Sequence, residues 1–182
     1  MALLVLANKT RRKCFISYHH DDECEVEQFI GDFDHTQDVL IARGVGASMS
    51  GDIINSTNDD YIKARIREKY LRDTTVTIVL VGKCTWTRKF VDWEVAASLR
   101  NTATACRSGL MAITLPSAAG YSDRQLPARV SDNVDSGYAH WWKYPSSANH
   151  LAEMIETAYE DRSAKDYLVD NSRPLRSYNS SC

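Results

Sequence analysis

The sequence predicts an α/β protein built on an open, mainly parallel sheet of about five strands flanked by helices. The strongest observation is the run VTIVLV at residues 76–81, which is largely apolar and β-branched and shows no polar alternation. Such a run is typical of a central parallel strand that is covered on both faces. Strand-like and helix-like segments alternate along the chain, as they do in βα units. With 182 residues, 43% of them hydrophobic, the chain is long enough for one domain with its own core.

Two βα units precede the central strand. Residues 13–18, KCFISY, predict the first strand, and Asp21 or Asp22 is expected to cap the helix that follows. Residues 38–42, DVLIA, predict the second strand, and residues 58–71 predict the second helix. The glycine-bearing loop between these two segments lacks both the G-x-G-x-x-G spacing and a following Lys-Ser/Thr pair, so it is weak as a phosphate-binding loop.

A helix follows the central strand after a short loop, KCTWT. Its apolar stripe is Val91, Val95 and Leu99, which recur every four residues and therefore face the sheet. Thr85 or Thr87 is expected to cap its first turn.

The last third of the chain is less regular. Residues 109–115, GLMAITL, predict a fourth strand, and residues 130–134 are expected to form a short edge segment. Residues 138–144, YAHWWKY, fit either a final strand or the aromatic wall of a pocket. Ser146 or Ser147 is expected to cap the last helix.

The predicted domain covers residues 11–162, and its order of elements, βαβαβαβ with a closing helix, favours a flavodoxin-like arrangement. Residues 163–182 are mainly polar, with Pro174 and a Ser/Asn-rich end. We expect this C-terminal tail to be flexible unless a partner orders it.

Charge and hydropathy argue against two classes of partner. The formal net charge is −2, and no basic run is longer than Arg11-Arg12-Lys13, so neither a nucleic-acid surface nor a membrane surface is indicated. The apolar stretch from Met1 to Ala7 is too short for the core of a signal peptide, and no run approaches the length of a membrane span. These features predict a cytoplasmic protein.

The cysteines and histidines predict neither a disulfide framework nor a metal site. The five cysteines are scattered and contain no C-x-x-C pair, which fits a reducing cytosol. The run HHDD at residues 19–22 has metal-binding residue types, but consecutive side chains point apart, so no metal is expected there.

Glu94 is the first candidate for a functional residue. It lies about 60° around the helix from Val91, so it borders the apolar stripe without joining it. In an open α/β sheet, ligands bind beyond the carboxyl ends of the strands, and the helix after a central strand overlooks that crevice. An ordinary solvated glutamate is the alternative. Trp86 and Trp93 are candidates for an aromatic wall around Glu94, although Trp93 fits packing against a neighbouring element equally well.

Two other functions on this architecture fit poorly. A phosphoryl-receiver domain needs an aspartate at the end of the third strand, where this chain has Val81, Gly82 and Lys83. A flavodoxin needs an anion-accepting loop after the first strand, where this chain carries acidic residues that repel phosphate.

Three segments resemble TIR-like domains: FISYHHDDE at 15–23, KFVDWEVAASL at 89–99 and LPARVSDNVDSGYAHWWKYPSS at 126–147. The third segment and the closing helix are similar to the bacterial TIR-like group that includes ThsB of Thoeris antiphage systems. The resemblance covers about residues 11–162 and implies a flavodoxin-like TIR fold.

The resemblance also implies an activity, which is cleavage of NAD at its nicotinamide–ribose bond. Glu94 would be the catalytic residue, and Ser17, Tyr18, His19 and Trp86 would bind the substrate. NAD would be the substrate, with no cofactor or metal. The product would be an ADP-ribose-derived second messenger read by a separate effector protein. A phage-derived trigger and a homo-oligomeric active state are further expectations. The alternative is a TIR-like protein-interaction or phage-sensing module without catalysis.

Overall fold

The computed structural model describes residues 10–46, 49–102, 106–120 and 125–182, and its centre is a five-stranded, all-parallel sheet. The strands are β1 (Arg12–Ser17), β2 (Leu40–Arg43), β3 (Val76–Val81), β4 (Gly109–Thr114) and β5 (His140–Trp142). The helices are α1 (Glu23–Ile30), α2 (Gly51–Ile54), α3 (Asp59–Lys69), α4 (Lys89–Ser98), α5 (Ala128–Asp135) and α6 (Ala148–Ala164). The stretch from Met1 to Ala7 and parts of two predicted loops, 47–48 and 121–124, lie outside the described residues.

The strand order β2-β1-β3-β4-β5 confirms the predicted α/β fold and its flavodoxin-like arrangement. Strand β3 is central and is paired on both sides, with Ile78 opposite Ile16 of β1 and Met111 of β4. All six of its residues are buried, as expected for an apolar run without alternation.

Helices cover both faces of the sheet. Helices α1 and α6 pack on one face through Phe29, Leu151 and Ile155. On the other face, Val95 of α4 packs with the sheet and α5, and Ile66 of α3 packs on α4. Within the described ranges, no helix combines the length and apolarity that a membrane crossing needs.

Two of the predicted helix caps are wrong, and one is confirmed. At the first helix, the side chain of His19, not that of Asp21 or Asp22, accepts a hydrogen bond from the backbone. Thr85 and Thr87 lie in a short 3-10 turn before α4. The hydroxyl of Thr85 accepts from the amide of Gly82 and that of Thr87 donates to the carbonyl of Cys84, so neither caps the helix. Ser147 does cap α6, since its hydroxyl accepts from the amide of His150.

The predicted edge segment at residues 130–134 is wrong, because those residues lie in α5. Val130 and Val134 are four residues apart and share a helical face, on which Val130 is fully buried. The aromatic run at 138–144 contains strand β5, where the Trp141 indole donates to the hydroxyl of Thr114. That bond and the pairing with β4 favour the strand over the pocket wall.

The C-terminal tail packs on the domain over its described length. The carbonyl of Arg176 accepts a hydrogen bond from the Trp93 indole, and the side chain of Asn171 donates to the carbonyl of Ala96. A disulfide joins Cys84 to Cys182, which corrects the expectation that the cysteines form no disulfide. The polar composition of the tail predicted a flexible segment. The hydrogen bonds that hold the tail join residues about 80 positions apart in the chain, so no local sequence pattern indicates them.

Candidate active site

A cavity of about 540 Å³ opens beyond the carboxyl ends of β1 and β3, where the strand order reverses. After β1 the chain forms β2 on one side of that strand and then returns to form β3 on its other side. The loops that follow β1 and β3 therefore lead in opposite directions and leave a crevice between them. The residues that line it are Ile16, Tyr18, His19, His20, Glu23, Gly44, Gly46, Met49, Ile54, Arg88, Phe90, Val91, Glu94 and Asn179.

Glu94 is a partly buried carboxylate in this cavity. Helix α4 presents it from its second turn, and the hydroxyl of Ser17, at the end of β1, donates to its Oε2 at 2.5 Å. Burial raises the pKa of Glu94 to about 7, and the hydrogen bond from Ser17 acts in the opposite direction. The carboxylate is therefore held in one orientation and is poised to change charge near neutral pH.

Tyr18 fixes the loop that forms the opposite wall. Its hydroxyl accepts a hydrogen bond from the amide of Gly46 at 3.1 Å. Gly44 in the same loop has φ +83°, and a Cβ there would collide with the ring of Phe15. Only glycine adopts this positive φ easily and also leaves room for the Phe15 ring. Gly44 therefore has a structural role in this loop that does not depend on phosphate binding.

His19 is almost fully buried, with 3% of its surface exposed. Its Nδ1 accepts a hydrogen bond from the amide of Asp21 at 2.9 Å. Burial, followed by the positive charge of Arg88, lowers the pKa of His19 below its usual value. The ring is therefore neutral at pH 7 and carries its proton on Nε2. Among the described residues, Nε2 has no hydrogen-bond partner.

The structure does not bring the two indoles to the cavity. Trp86 lines a separate pocket of about 250 Å³, and Trp93 is buried between α3 and α4 with 4% exposure. Phe90, one turn before Glu94, provides the aromatic surface of the main cavity instead. Arg88 lines both pockets and so lies between the Glu94 cavity and the one that contains Trp86.

Sequence reasoning did not single out Arg88, Phe90 or Asn179. Arg88 and Phe90 belong to the sequence TRKF, which lies just before Glu94. Their closeness to Glu94 in the sequence could have indicated them. Asn179 gave no signal, since it lies in a Ser/Asn-rich end and reaches the cavity only through tertiary packing.

Asn179 caps the helix that carries Glu94. Its Oδ1 accepts a hydrogen bond from the amide of Lys89, the first residue of α4, at 2.9 Å. Replacing Asn179 with alanine should lower the free energy of unfolding by about 1 kcal/mol, the usual effect of losing a side-chain cap. Asn179→Asp is the matched control, because aspartate also accepts from this amide. Urea unfolding measures both variants, and equal losses in the two would contradict the capping role.

His19, His20 and Asp21 offer one possible metal ligand each within 4.8 Å of one another. Nδ1 of His19 already accepts a backbone hydrogen bond, and the other two side chains are exposed. The cluster gives no reason to assign a metal to the site.

The model of one protein family, described as Thoeris protein ThsB, TIR-like domain, matches residues 15–119. This match spans more than half of the chain and includes the end of β1, all of α4 and the described cavity residues other than Asn179. No curated protein matches the chain.

Proposed function

We propose that this chain, which belongs to the family of TIR-like domains of the Thoeris antiphage protein ThsB, cleaves NAD and releases nicotinamide. The ribosyl carbon then bonds to water, to an atom of the same nucleotide or to another acceptor, with loss of a proton from that nucleophile where it carries one. The resulting ADP-ribose-derived product would be a second messenger for a separate effector protein. The observation that carries the proposal is the position of Glu94, which lies in the cavity at the reversal of strand order and is oriented by Ser17.

The chemistry needs one carboxylate. Breaking the nicotinamide–ribose bond develops positive charge on the ribose, while nicotinamide leaves as a neutral molecule and needs no proton from a general acid. An ionised Glu94 stabilises that charge, and it accepts hydrogen bonds from the ribose hydroxyls. A fixed negative charge in a partly dry cavity contributes several kcal/mol to such a transition state.

The neighbouring side chains fit an uncharged, planar leaving group. Phe90 and Tyr18 line the same cavity as Glu94 and offer aromatic faces for the nicotinamide ring. The cavity volume of about 540 Å³ is within the range of small-molecule sites, and it accommodates a large part of a dinucleotide.

The rate of the reaction should rise with pH. Only ionised Glu94 stabilises a cation, and burial places its pKa at about 7, so kcat/KM for nicotinamide release should be half-maximal near that pH. Ser17→Ala should move the midpoint to higher pH, because it removes the hydrogen bond that lowers the pKa. Initial rates between about pH 5.5 and about pH 8.5 measure the effect. A rate that falls as pH rises would contradict the assignment.

The direct test is chromatography of nicotinamide after incubation of the purified chain with NAD, alone and with phage lysate or capsid protein. Both conditions are needed because the proposal includes a phage-derived trigger and a homo-oligomeric active state. Nicotinamide that appears together with an ADP-ribose-derived product supports the proposal. NAD that stays intact in the triggered, assembled protein favours a non-catalytic phage-sensing module.

A further inference from the structure

Arg88 lies at the cavity that contains Glu94 and has no partner for its charge among the described residues. It immediately precedes α4. In the described part of the chain, no carboxylate lies within 4.0 Å of its guanidinium and no group accepts a hydrogen bond from it. Its Nε is buried. A buried donor that has no protein partner favours a bound acceptor, and an anion is a strong acceptor for a guanidinium.

His19 provides a second unused donor in the same cavity. Its buried Nε2–H has no partner among the described residues, and the charge of Arg88 is close enough to lower its pKa. Arg88 is the residue at the start of α4, so the positive end of that helix adds to the attraction of Arg88 for negative charge. Arg88 and His19 together offer a charged and a neutral donor to one anion.

We propose that Arg88 and His19 form the subsite for the pyrophosphate of a dinucleotide, an inference that rests on the function proposed above. A pyrophosphate suits these donors because it has several acceptor oxygens and a charge that the unpaired guanidinium neutralises. Glu23 and Glu94 both line the cavity and repel phosphate when they are ionised. The ribose that carries nicotinamide therefore lies on the Glu94 side, and the phosphates lie beside the guanidinium of Arg88.

Because Arg88 lies between two pockets, its position also predicts where the adenosine half of the ligand binds. The second pocket contains Trp86, whose indole offers a stacking surface to an adenine ring. A dinucleotide bound through its phosphates at Arg88 thus places nicotinamide at Glu94 and adenine at Trp86. In this arrangement Trp86 binds substrate without lining the Glu94 cavity.

Titration calorimetry with ADP-ribose and with inorganic pyrophosphate tests the subsite without any need for turnover. Arg88→Ala should weaken the binding of both ligands by about tenfold or more, and Arg88→Lys should recover part of the loss, since lysine keeps the charge but not the planar fork. His19→Phe should weaken both ligands by a smaller factor. Trp86→Ala should weaken ADP-ribose and leave inorganic pyrophosphate unchanged, because only ADP-ribose carries adenine.

Lys89→Ala is the matched control, since it removes an adjacent positive charge that does not line the cavity. Circular dichroism and the thermal midpoint verify that each variant is folded. The subsite is overturned if the unsubstituted chain binds neither ligand, if Arg88→Ala binds both as the unsubstituted chain does, or if Lys89→Ala weakens binding equally.

The kinetic result separates this inference from the proposed function. In the triggered enzyme, Arg88→Ala should raise KM for NAD by about tenfold and leave kcat within about threefold. Nicotinamide release with an unchanged KM in Arg88→Ala overturns the subsite and leaves the proposed function standing. Loss of pyrophosphate binding in Arg88→Ala, in a protein that never releases nicotinamide, supports the subsite and overturns the function.

Discussion

Replacing Glu94 with glutamine should abolish nicotinamide release while the fold stays intact. Glutamine has nearly the same shape and still accepts the hydrogen bond from Ser17, but it carries no charge to stabilise the ribosyl cation. We expect the rate to fall by about 10³-fold, the usual effect of removing a preorganised electrostatic contact at a reacting centre. Chromatography of nicotinamide from the triggered protein measures it.

The same substitution should stabilise the protein at alkaline pH. The pKa of Glu94 rises from its ordinary value of 4.5 to about 7 on folding, so the folded state favours the protonated carboxyl. The stability this contributes is complete below about pH 4.5 and is lost as pH rises through about 7. At about pH 8 the ionised, buried group costs up to about 3 kcal/mol, which Glu94→Gln removes. Urea unfolding at about pH 5 and at about pH 8 compares the two proteins.

Glu160→Gln is the control for both measurements, because Glu160 is an exposed glutamate on α6. It should change neither the rate nor the pH dependence of stability. If Glu94→Gln released nicotinamide at the unsubstituted rate, the assignment of Glu94 as the catalytic residue would be wrong. If it lost stability at about pH 8, the carboxylate would not be the buried group described above.

Local patterns were sufficient to predict the sheet and the position of Glu94. Residues 76–81 place apolar side chains on both faces of a strand, so other elements must cover both faces. Glu94 could be selected because α4 follows that strand, and helical geometry places the residue at the border of its apolar stripe.

Features that depend on distant parts of the chain could not be predicted. Asn179 reaches the start of α4, and Cys182 reaches Cys84 across 98 residues, without any periodicity that marks these pairs. The positions of the two indoles also could not be predicted from the sequence. Trp86 and Trp93 are both near Glu94 in sequence, yet the 3-10 turn and the helix direct them to a second pocket and to the core.

Replacing Arg129 with methionine should destabilise the domain by about 3 to 5 kcal/mol, the usual cost of breaking a buried ion pair on one side. Arg129 of α5 is 1% exposed and donates from Nε to Asp92 of α4 at 2.9 Å. It also donates to the side chain of Asn171 and to the carbonyl of Pro174, so it links α4, α5 and the tail. Methionine fills similar volume but leaves Asp92 buried without its cation. The free energy of unfolding in urea measures the loss.

Two further variants separate a buried charge from a general effect of losing arginine. Arg173→Met breaks the more exposed pair with Asp132, which lies at 2.8 Å, and should cost no more than about 1 kcal/mol. The double variant Arg129→Met, Asp92→Leu removes both buried charges and should be more stable than Arg129→Met alone, because no unpaired charge remains in the core. Equal losses in Arg129→Met and Arg173→Met would show that the pair with Asp92 contributes no more than a surface contact. Because Asp92 and Glu94 both lie on α4, a large loss in Arg129→Met would show that this pair helps to hold the helix that carries Glu94 on the domain.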